Sequence, residues 1–326
     1  MIKIGTIGTS KITEDFINSA SKNPNLKVVC CYSRDKQKAR ELINKNKLYA
    51  IAVDSFEKLV DEIDAVYIAS PNGLHYEQAK YFLQQQKHVL LEKPLTLEYQ
   101  QACELFEIAA INNVILMEAY KTAHLPQFSN LFKAVNLLNP FMASFNMNQY
   151  SSRMVNIKQG IYDSVFDGKL GKGSTYDMLI YPVELAIALF GPIKEVKSMG
   201  MKLPNGSGLN DIVLLKHENE ILVNITCSKT SVGRIKSEIL ADHATIVFDN
   251  CINLKEIKVI KNKEDEESIS YIQNEEQDLF EYEISVFVKM ILTNDYKLRD
   301  YLLDISCEAV KVLNLVEKNQ KEIGEI

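Results

Sequence analysis

Residues 2–10 read Ile2-Lys3-Ile4-Gly5-Thr6-Ile7-Gly8-Thr9-Ser10: an apolar strand running into a glycine-bearing turn, with a helical pattern following to about Ser21. That is the opening of a βαβ unit, and the pattern recurs. Leu26–Tyr32 reads as a second strand, with a helix after Arg34-Asp35 to about Asn44. Ala50–Val53 is short and apolar, and Ser55 suits the cap of the next helix. Ala65–Ala69 forms a fourth strand, closed by Ser70-Pro71-Asn72-Gly73. An amphipathic helix to about Gln86, the strand 88–91, a helix Leu97–Asn112 and the strand Val114–Met117 follow. Short apolar runs separated by helical patterns predict an α/β fold, a buried parallel sheet with helices on both faces.

Past about Lys121 the pattern changes. Met142–Tyr150 alternates apolar and polar residues, as do stretches within 194–202, 211–217, 220–228, 235–241 and 244–260. These predict strands of a large open, mixed or antiparallel sheet, with Glu218-Asn219-Glu220 as a hairpin turn. One strongly apolar helix, about Val183–Leu189, is stopped by Gly191-Pro192. Amphipathic helices over Leu279–Leu292 and Tyr301–Glu317 close the chain. The expected division is a nucleotide-binding α/β domain over 1–121 and an α+β domain over 122–326. The last helices are expected to pack back towards the first domain. No internal repeat is visible, and the acidic stretch Lys263–Glu267 reads as a solvated turn.

The 326 residues are 46% hydrophobic and 25% charged, ordinary values for a globular protein with a real core. A net charge of −6 argues against a nucleic-acid partner, because phosphate contacts need clustered Lys and Arg. No apolar run approaches the roughly 20 residues that cross a bilayer, and no basic-then-apolar leader opens the chain. The six cysteines (30, 31, 103, 227, 251, 307) lack C-x-x-C spacing or a zinc-like pairing with histidine. They read as scattered core thiols of a reducing cytoplasm, without disulfides and without a metal.

Taking Gly8 as the first glycine of G-x-G-x-x-G, Ser10 stands at the second position and Thr13 at the third. The fingerprint is degraded but keeps the glycine its turn needs. Gly8, Thr9, Ser10, Lys11 and Ile12 then bring backbone amides to a pyrophosphate at a helix N-terminus. The second strand ends Cys31-Tyr32-Ser33-Arg34-Asp35, where an NAD site usually places an acid directly at the strand end. Two readings stand. Ser33 and Arg34 bind a 2′-phosphate, giving NADP preference over NAD, or Ser33 caps a helix and Arg34 is solvated.

Motifs follow each later strand: Ser70-Pro71-Asn72-x-x-His75, Glu92-Lys93-Pro94 and Met117-Glu118-Ala119. Farther on lies Gly171-Lys172-Gly173-Ser174-Thr175-Tyr176-Asp177-Met178-Leu179-Ile180-Tyr181-Pro182. Together they resemble the Gfo/Idh/MocA oxidoreductase family over essentially the whole chain. The resemblance implies an N-terminal Rossmann domain binding NAD(P) and a C-terminal domain whose open sheet often mediates dimerisation. It implies that Lys93 lies near the nicotinamide and the substrate hydroxyl, and that Asp177 and Tyr181 fill the D-x-x-x-H/Y positions. Hydride removal from an alcohol carbon also requires loss of the hydroxyl proton, so a general base must be within reach. An ammonium stabilises the developing oxyanion and a carboxylate orients its partners. Tyr181 is therefore expected as acid/base, Lys93 as electrostatic stabiliser and proton relay, and Asp177 as orienter and hydrogen-bond acceptor for substrate. Asn72 and His75 are expected to line the cofactor cleft with Ser70 and Pro71, and Glu92 to contact the nicotinamide-side ribose.

The chain departs from the family pattern at Leu179, where Gly is frequent, and at Tyr181, where His is frequent. It also departs at Glu184 (often Asp), Ala123 (often Arg) and His124 (often aromatic). Lys121 and His124 are candidate substrate contacts, with Arg153 and Lys158 as further cations whose default reading is as solvated surface residues. Pro182 disfavours the helical conformation at Tyr181, so the segment is expected to be kinked or only loosely helical. The expected activity is NAD(P)-dependent hydride transfer at a hydroxyl or carbonyl of a small polyol, sugar or cyclic diol. The alternative is a catalytically silent NAD(P)-binding regulator of the same fold. A homo-oligomer, dimer or tetramer, through the C-terminal sheet is implied in either case.

Overall fold

A computed structural model describes residues 1–263, 268–272 and 278–323. Of the acidic stretch Lys263–Glu267, all but Lys263 lies outside the described residues. The chain opens with β1 (Ile2–Ile7), α1 (Lys11–Ala20), β2 (Leu26–Tyr32), α2 (Lys36–Lys45), β3 (Ile51–Val53) and α3 (Phe56–Val60). It continues through β4 (Ala65–Ile68), α4 (His75–Gln84), β5 (His88–Glu92), α5 (Tyr99–Ile111), β6 (Leu116–Ala119) and α6 (Pro126–Leu138). Next come β7 (Met142–Asn148), α7 (Met154–Ile157), α8 (Ile180–Phe190), β8 (Ile193–Lys202), β9 (Gly208–His217) and β10 (Leu222–Ser228). The last elements are β11 (Ser237–Leu240), β12 (Ala244–Phe248), β13 (Glu256–Lys261), β14 (Ile269–Ile272), α9 (Phe280–Thr293), α10 (Tyr296–Lys318) and β15 (Gln320–Glu322).

Two compact units result: Met1–Lys121 with Asp278–Cys307, and Thr122–Gln277 with Glu308–Ile326. Asp278–Cys307, from the closing helices, cluster with the first unit.

In the first unit a six-stranded parallel sheet has the order β3-β2-β1-β4-β5-β6. This is the doubly wound order, and the strand order reverses between β1 and β4, where a crevice opens at the carboxyl ends. Strands buried on both faces explain the continuous apolar runs: every residue of β4 is buried. The core gathers Ile4, Phe16, Ile17, Tyr67, Leu90 and Met117 with Ile284, Phe287 and Val288 of α9. Those α9 residues are why the 278–307 segment belongs here. Their apolar stripe covers the sheet's helical layer.

In the second unit nine strands take the order β14-β13-β12-β11-β7-β10-β9-β8-β15. The sheet is mixed, with β7 parallel to β10 and β15 parallel to β8. Alternation places Ala143, Phe145, Val223 and Ile225 on the covered face, while Met142, Ile212, Leu214 and Leu222 stay exposed. Helix α8 is buried along its length apart from Tyr181, as its unbroken apolar composition demands. The alternating stretches within 244–260 form two strands, β12 and β13. Asp249 and Asn250 separate them, their side chains accepting hydrogen bonds from the Glu256, Ile252 and Asn253 N–H groups.

Candidate active site

A groove of about 760 Å³ lies along the carboxyl ends of the first sheet. The turn after β1 supplies Gly8, Thr9 and Ser10, the end of β2 supplies Tyr32, Ser33 and Arg34, and the loop after β4 supplies Ala69, Ser70 and Pro71. Gly8 has φ +114°, and a Cβ there would stand 2.5 Å from the Ala69 carbonyl oxygen. No side chain fits, so the backbone passes close beneath whatever fills the groove. Ser10 takes the N-cap position of α1 in extended conformation, yet its hydroxyl makes no cap bond. With the N-terminal amides of α1 beside it, the arrangement suits a pyrophosphate. Asp35 caps α2 by accepting from the Gln37 N–H at 3.0 Å, while Ser33 accepts from the Asp35 N–H at 3.3 Å. Ser33 and Arg34 thus reach the groove without serving as the cap, and Lys38 lines it too. This donor set fits a dinucleotide carrying a 2′-phosphate.

Between Val89 and Leu97 only Glu92 and Lys93 are partly open, every neighbour being buried. Tyr67 stacks on Phe16 with ring centroids 3.9 Å apart, and its hydroxyl donates to Glu92 Oε1 at 2.6 Å. Burial pushes the Glu92 carboxyl up, against the Tyr67 hydrogen bond and the Lys93 charge. His75 is wholly buried and does not line the groove. Its ring bridges two carbonyls, Nδ1 at 2.9 Å from Pro94 O and Nε2 at 2.9 Å from Ser70 O. It therefore ties the cofactor loop to the turn that carries Lys93. Burial depresses its pKa, and the Lys93 charge adds to this.

The second unit frames Asp177 and Tyr181. From Gly173 to Phe190 these two are the only residues not buried. The turn Thr175–Leu179 is π-wound and leads directly into α8. The loose winding expected before Pro182 takes the form of this π turn, which widens the backbone where the Pro182 ring would meet the preceding carbonyls. Gly173 at φ +75° allows the approach of β9, since a Cβ would sit 2.2 Å from Gly208 O. Thr175 donates to Asp211 Oδ2 at 2.9 Å, and Gln320 donates to Thr175 Oγ1 at 2.6 Å and Asp211 Oδ1 at 2.7 Å. Tyr176 donates to Glu317 at 2.5 Å, which also takes Lys172 at 3.0 Å. The turn is fixed from several sides. Lys229, 8% exposed, donates to Asp177 Oδ2 at 2.7 Å.

Residues 2–120 match the family model "Oxidoreductase family, NAD-binding Rossmann fold", and residues 140–247 match "GFO/IDH/MocA C-terminal domain". The chain belongs to the Gfo/Idh/MocA oxidoreductase family. It is an NAD(P)-binding oxidoreductase of that family. Among Gfo/Idh/MocA relatives it is 33% identical to the scyllo-inositol 2-dehydrogenase (NADP(+)) IolU of Bacillus subtilis, over 99% of this chain and 98% of the relative. It is 30% identical to the oxidoreductase YgjR of Escherichia coli, over 87% of each chain. The fold is also that of KijD10, a 3-ketoreductase from Actinomadura kijaniata crystallised with NADP and TDP-benzene. The TM-score is 0.84 at 20% identity, covering 99% of this chain and 98% of that one.

Other residues singled out in the Gfo/Idh/MocA sequence take varied places. Lys11 pairs with Asp15 at 2.6 Å and Ile12 packs on the core, which leaves their backbone amides to face the turn. Asn72 opens a short 3₁₀ turn before α4. Lys121 lies in the first unit over the Phe280 ring at 5.7 Å. Burial lowers its pKa while the Glu283 and Glu92 charges raise it. Burial also brings His124 down to about 4, so it is a neutral imidazole at physiological pH. Glu184 is wholly buried. Arg153 pairs with Asp163, and Lys158 is solvated. Three contributors went unnoticed in the sequence: Lys38, Tyr67 and Lys229. Lys38 had a usable signal, a second cation four residues after Arg34 at the start of α2. Tyr67 and Lys229 had none, because their partners are 25 and 52 residues away.

Proposed function

We propose that this protein is an NADP(H)-preferring dehydrogenase of a small cyclic polyol of the inositol type. The observation that carries the reading is the opening of Asp177 and Tyr181, alone, on an otherwise buried segment. Likeness to IolU over the whole chain supports the substrate class, and Arg34 and Lys38 in the groove support the cofactor.

The nicotinamide, when bound, accepts or donates the hydride. Tyr181 takes the hydroxyl proton on oxidation and returns it on reduction. Lys93 stabilises the developing oxyanion and relays the proton. Asp177 accepts a hydrogen bond from a substrate hydroxyl and orients the ring. Lys121 and His124 contribute substrate contacts, His124 as a neutral donor or acceptor. Gly8, Thr9, Ser10, Lys11 and Ile12 hold the pyrophosphate, and Ser33 and Arg34 the 2′-phosphate. Ser70, Pro71, Asn72 and Glu92 line the remainder of the cofactor site, with His75 setting the loop from behind.

The test is a panel of inositols, open-chain polyols and cyclic diols, read by absorbance of the reduced cofactor. Oxidation of an inositol with NADP⁺, faster than with NAD⁺, is expected. Turnover of sugar nucleotides alone would overturn the substrate assignment.

We also place the chain in the cytoplasm as a homo-oligomer. Its six cysteines are all free thiols, as a reducing compartment permits. The open face of the second sheet exposes Met199, Met201, Ile212 and Leu214 around a polar ladder that satisfies itself. In that ladder Ser144 bonds Asn224, Asn148 bonds Thr226, and Thr226 bonds Asn146. A face of this kind can be covered by a second copy without orphaning polar groups.

A further inference from the structure

We propose that Lys229 is a positioning residue of the reaction, acting through Asp177; this rests on the role given to Asp177 above. The loop after β10 is a rigid mount. The Lys229 N–H donates to Leu209 O at 3.1 Å, and its carbonyl accepts from the Ser151 N–H at 2.8 Å. The hydroxyls of Ser228, Thr230 and Ser231 meet one another, and Ser228 and Thr230 also donate to Asn210. From this mount the ammonium reaches Asp177 Oδ2 at 2.7 Å.

Burial is unequal: the Lys229 side chain is 10% exposed and that of Asp177 28%. An ammonium held that far from water needs its counter-charge, whereas water still reaches the carboxylate. The pair has three consequences. Asp177 is held as an acceptor for a substrate hydroxyl. Its rotation is fixed, which matters because small misplacements of an orienting group are costly. Its negative charge is cancelled locally, so the adjoining phenol of Tyr181 does not lose its proton against an uncompensated anion, and the site suits an uncharged polyhydroxyl substrate.

Steady-state oxidation of scyllo-inositol by NADP⁺ is measured for wild type, Lys229→Met, Lys229→Arg, Asp177→Asn and the double variant Asp177→Asn/Lys229→Met. Lys229→Met should lower kcat roughly 10- to 100-fold with an unchanged KM for NADP⁺, and Lys229→Arg should recover most of it. The double variant should be no slower than Asp177→Asn alone, since a residue that works through Asp177 has nothing left to do. That comparison survives even where Lys229→Met alone folds poorly.

Wild-type rates in Lys229→Met, or full multiplication of the two losses in the double variant, overturn the proposal. Melting of the same proteins reads the pair without turnover. Asp177→Asn should lower Tm by stranding the ammonium, and adding Lys229→Met should restore part of the loss; strictly additive changes overturn the pairing. Wild-type inactivity on every polyol, with coupling in the melts intact, overturns instead the functional reading.

Discussion

A phenol that exchanges a proton with a substrate must be reachable, and Tyr181 keeps its face open while Ile180 and Pro182 beside it are buried. Removing its hydroxyl leaves the packing almost unchanged. Tyr181→Phe should therefore lower turnover roughly 10²-fold while NADP⁺ affinity, measured by fluorescence titration, stays as in wild type. Lys93→Met should lose a similar factor. Normal rates in either variant would reject the roles assigned. Arg34→Ala and Lys38→Ala each remove a cation from the part of the groove proposed to hold the 2′-phosphate. A charge-assisted bond is worth about 1.5–3 kcal/mol, so NADP⁺ affinity should fall at least tenfold in Arg34→Ala by calorimetry, with NAD⁺ affinity unmoved. Equal losses for both cofactors would place Arg34 elsewhere. Lys93, Asp177 and Tyr181 were singled out by the family resemblance of their motifs, since the bare sequence reads Tyr181 more readily as a core tyrosine and Asp177 as a helix cap. The burial of His75 was not legible, since nothing local distinguishes a cleft histidine from one bridging two carbonyls.

Among the elements, the π-wound turn before α8 depends on Asp211, a β9 carboxylate that is 2% exposed. Burial pushes its pKa up to about 6 from the ordinary 3.8, against the hydrogen bonds from Gln320 and Thr175. The sign follows directly. Between about pH 3.8 and 6 the folded chain holds a proton that the unfolded chain has released, so this group makes stability fall as pH rises. Asp211→Asn keeps an acceptor for Gln320 and gains a donor towards Thr175, and it has no charge to bury. Its stability relative to wild type should rise through that window, by an amount on the order of 3 kcal/mol, and level off above it. Denaturant titrations at pH 4, 5, 6 and 7 would show this, and a pH-independent difference would refute it. Element type was readable wherever the period was clear. Where the stretches within 244–260 divide into β12 and β13 was set by the Asx turn between them, which the apolar alternation does not mark.

At the scale of the whole molecule, the open face of the nine-stranded sheet carries the prediction about assembly. Ile212 is 58% exposed and Leu214 53%, both on β9, the third strand in from the β15 edge of the sheet. Ile212→Glu with Leu214→Glu puts two charges where a second copy would bury them, at a cost of several kcal/mol. Sedimentation velocity should show the wild-type protein as a dimer or larger and the double variant as a monomer with an unchanged circular dichroism spectrum. A wild-type monomer, or an unaffected oligomer, would remove the sheet face from consideration.

Strand and helix periods, the turn at Gly8 and the residues after β4 and β5 were determined by the sequence alone, because each signal is complete within a few residues. The Ser55 cap of α3, the hairpin turn at Glu218–Glu220 and the apolar alternation of β7–β10 belong to the same class. Tertiary structure alone decided which part of the closing helices, Asp278–Cys307, clusters with the first unit, that Tyr67 grips Glu92, and that Lys229 stands against Asp177. Those pairings join residues with no local pattern in common. They become favourable only once folding has removed water from around them and left each charge or hydroxyl in need of a partner.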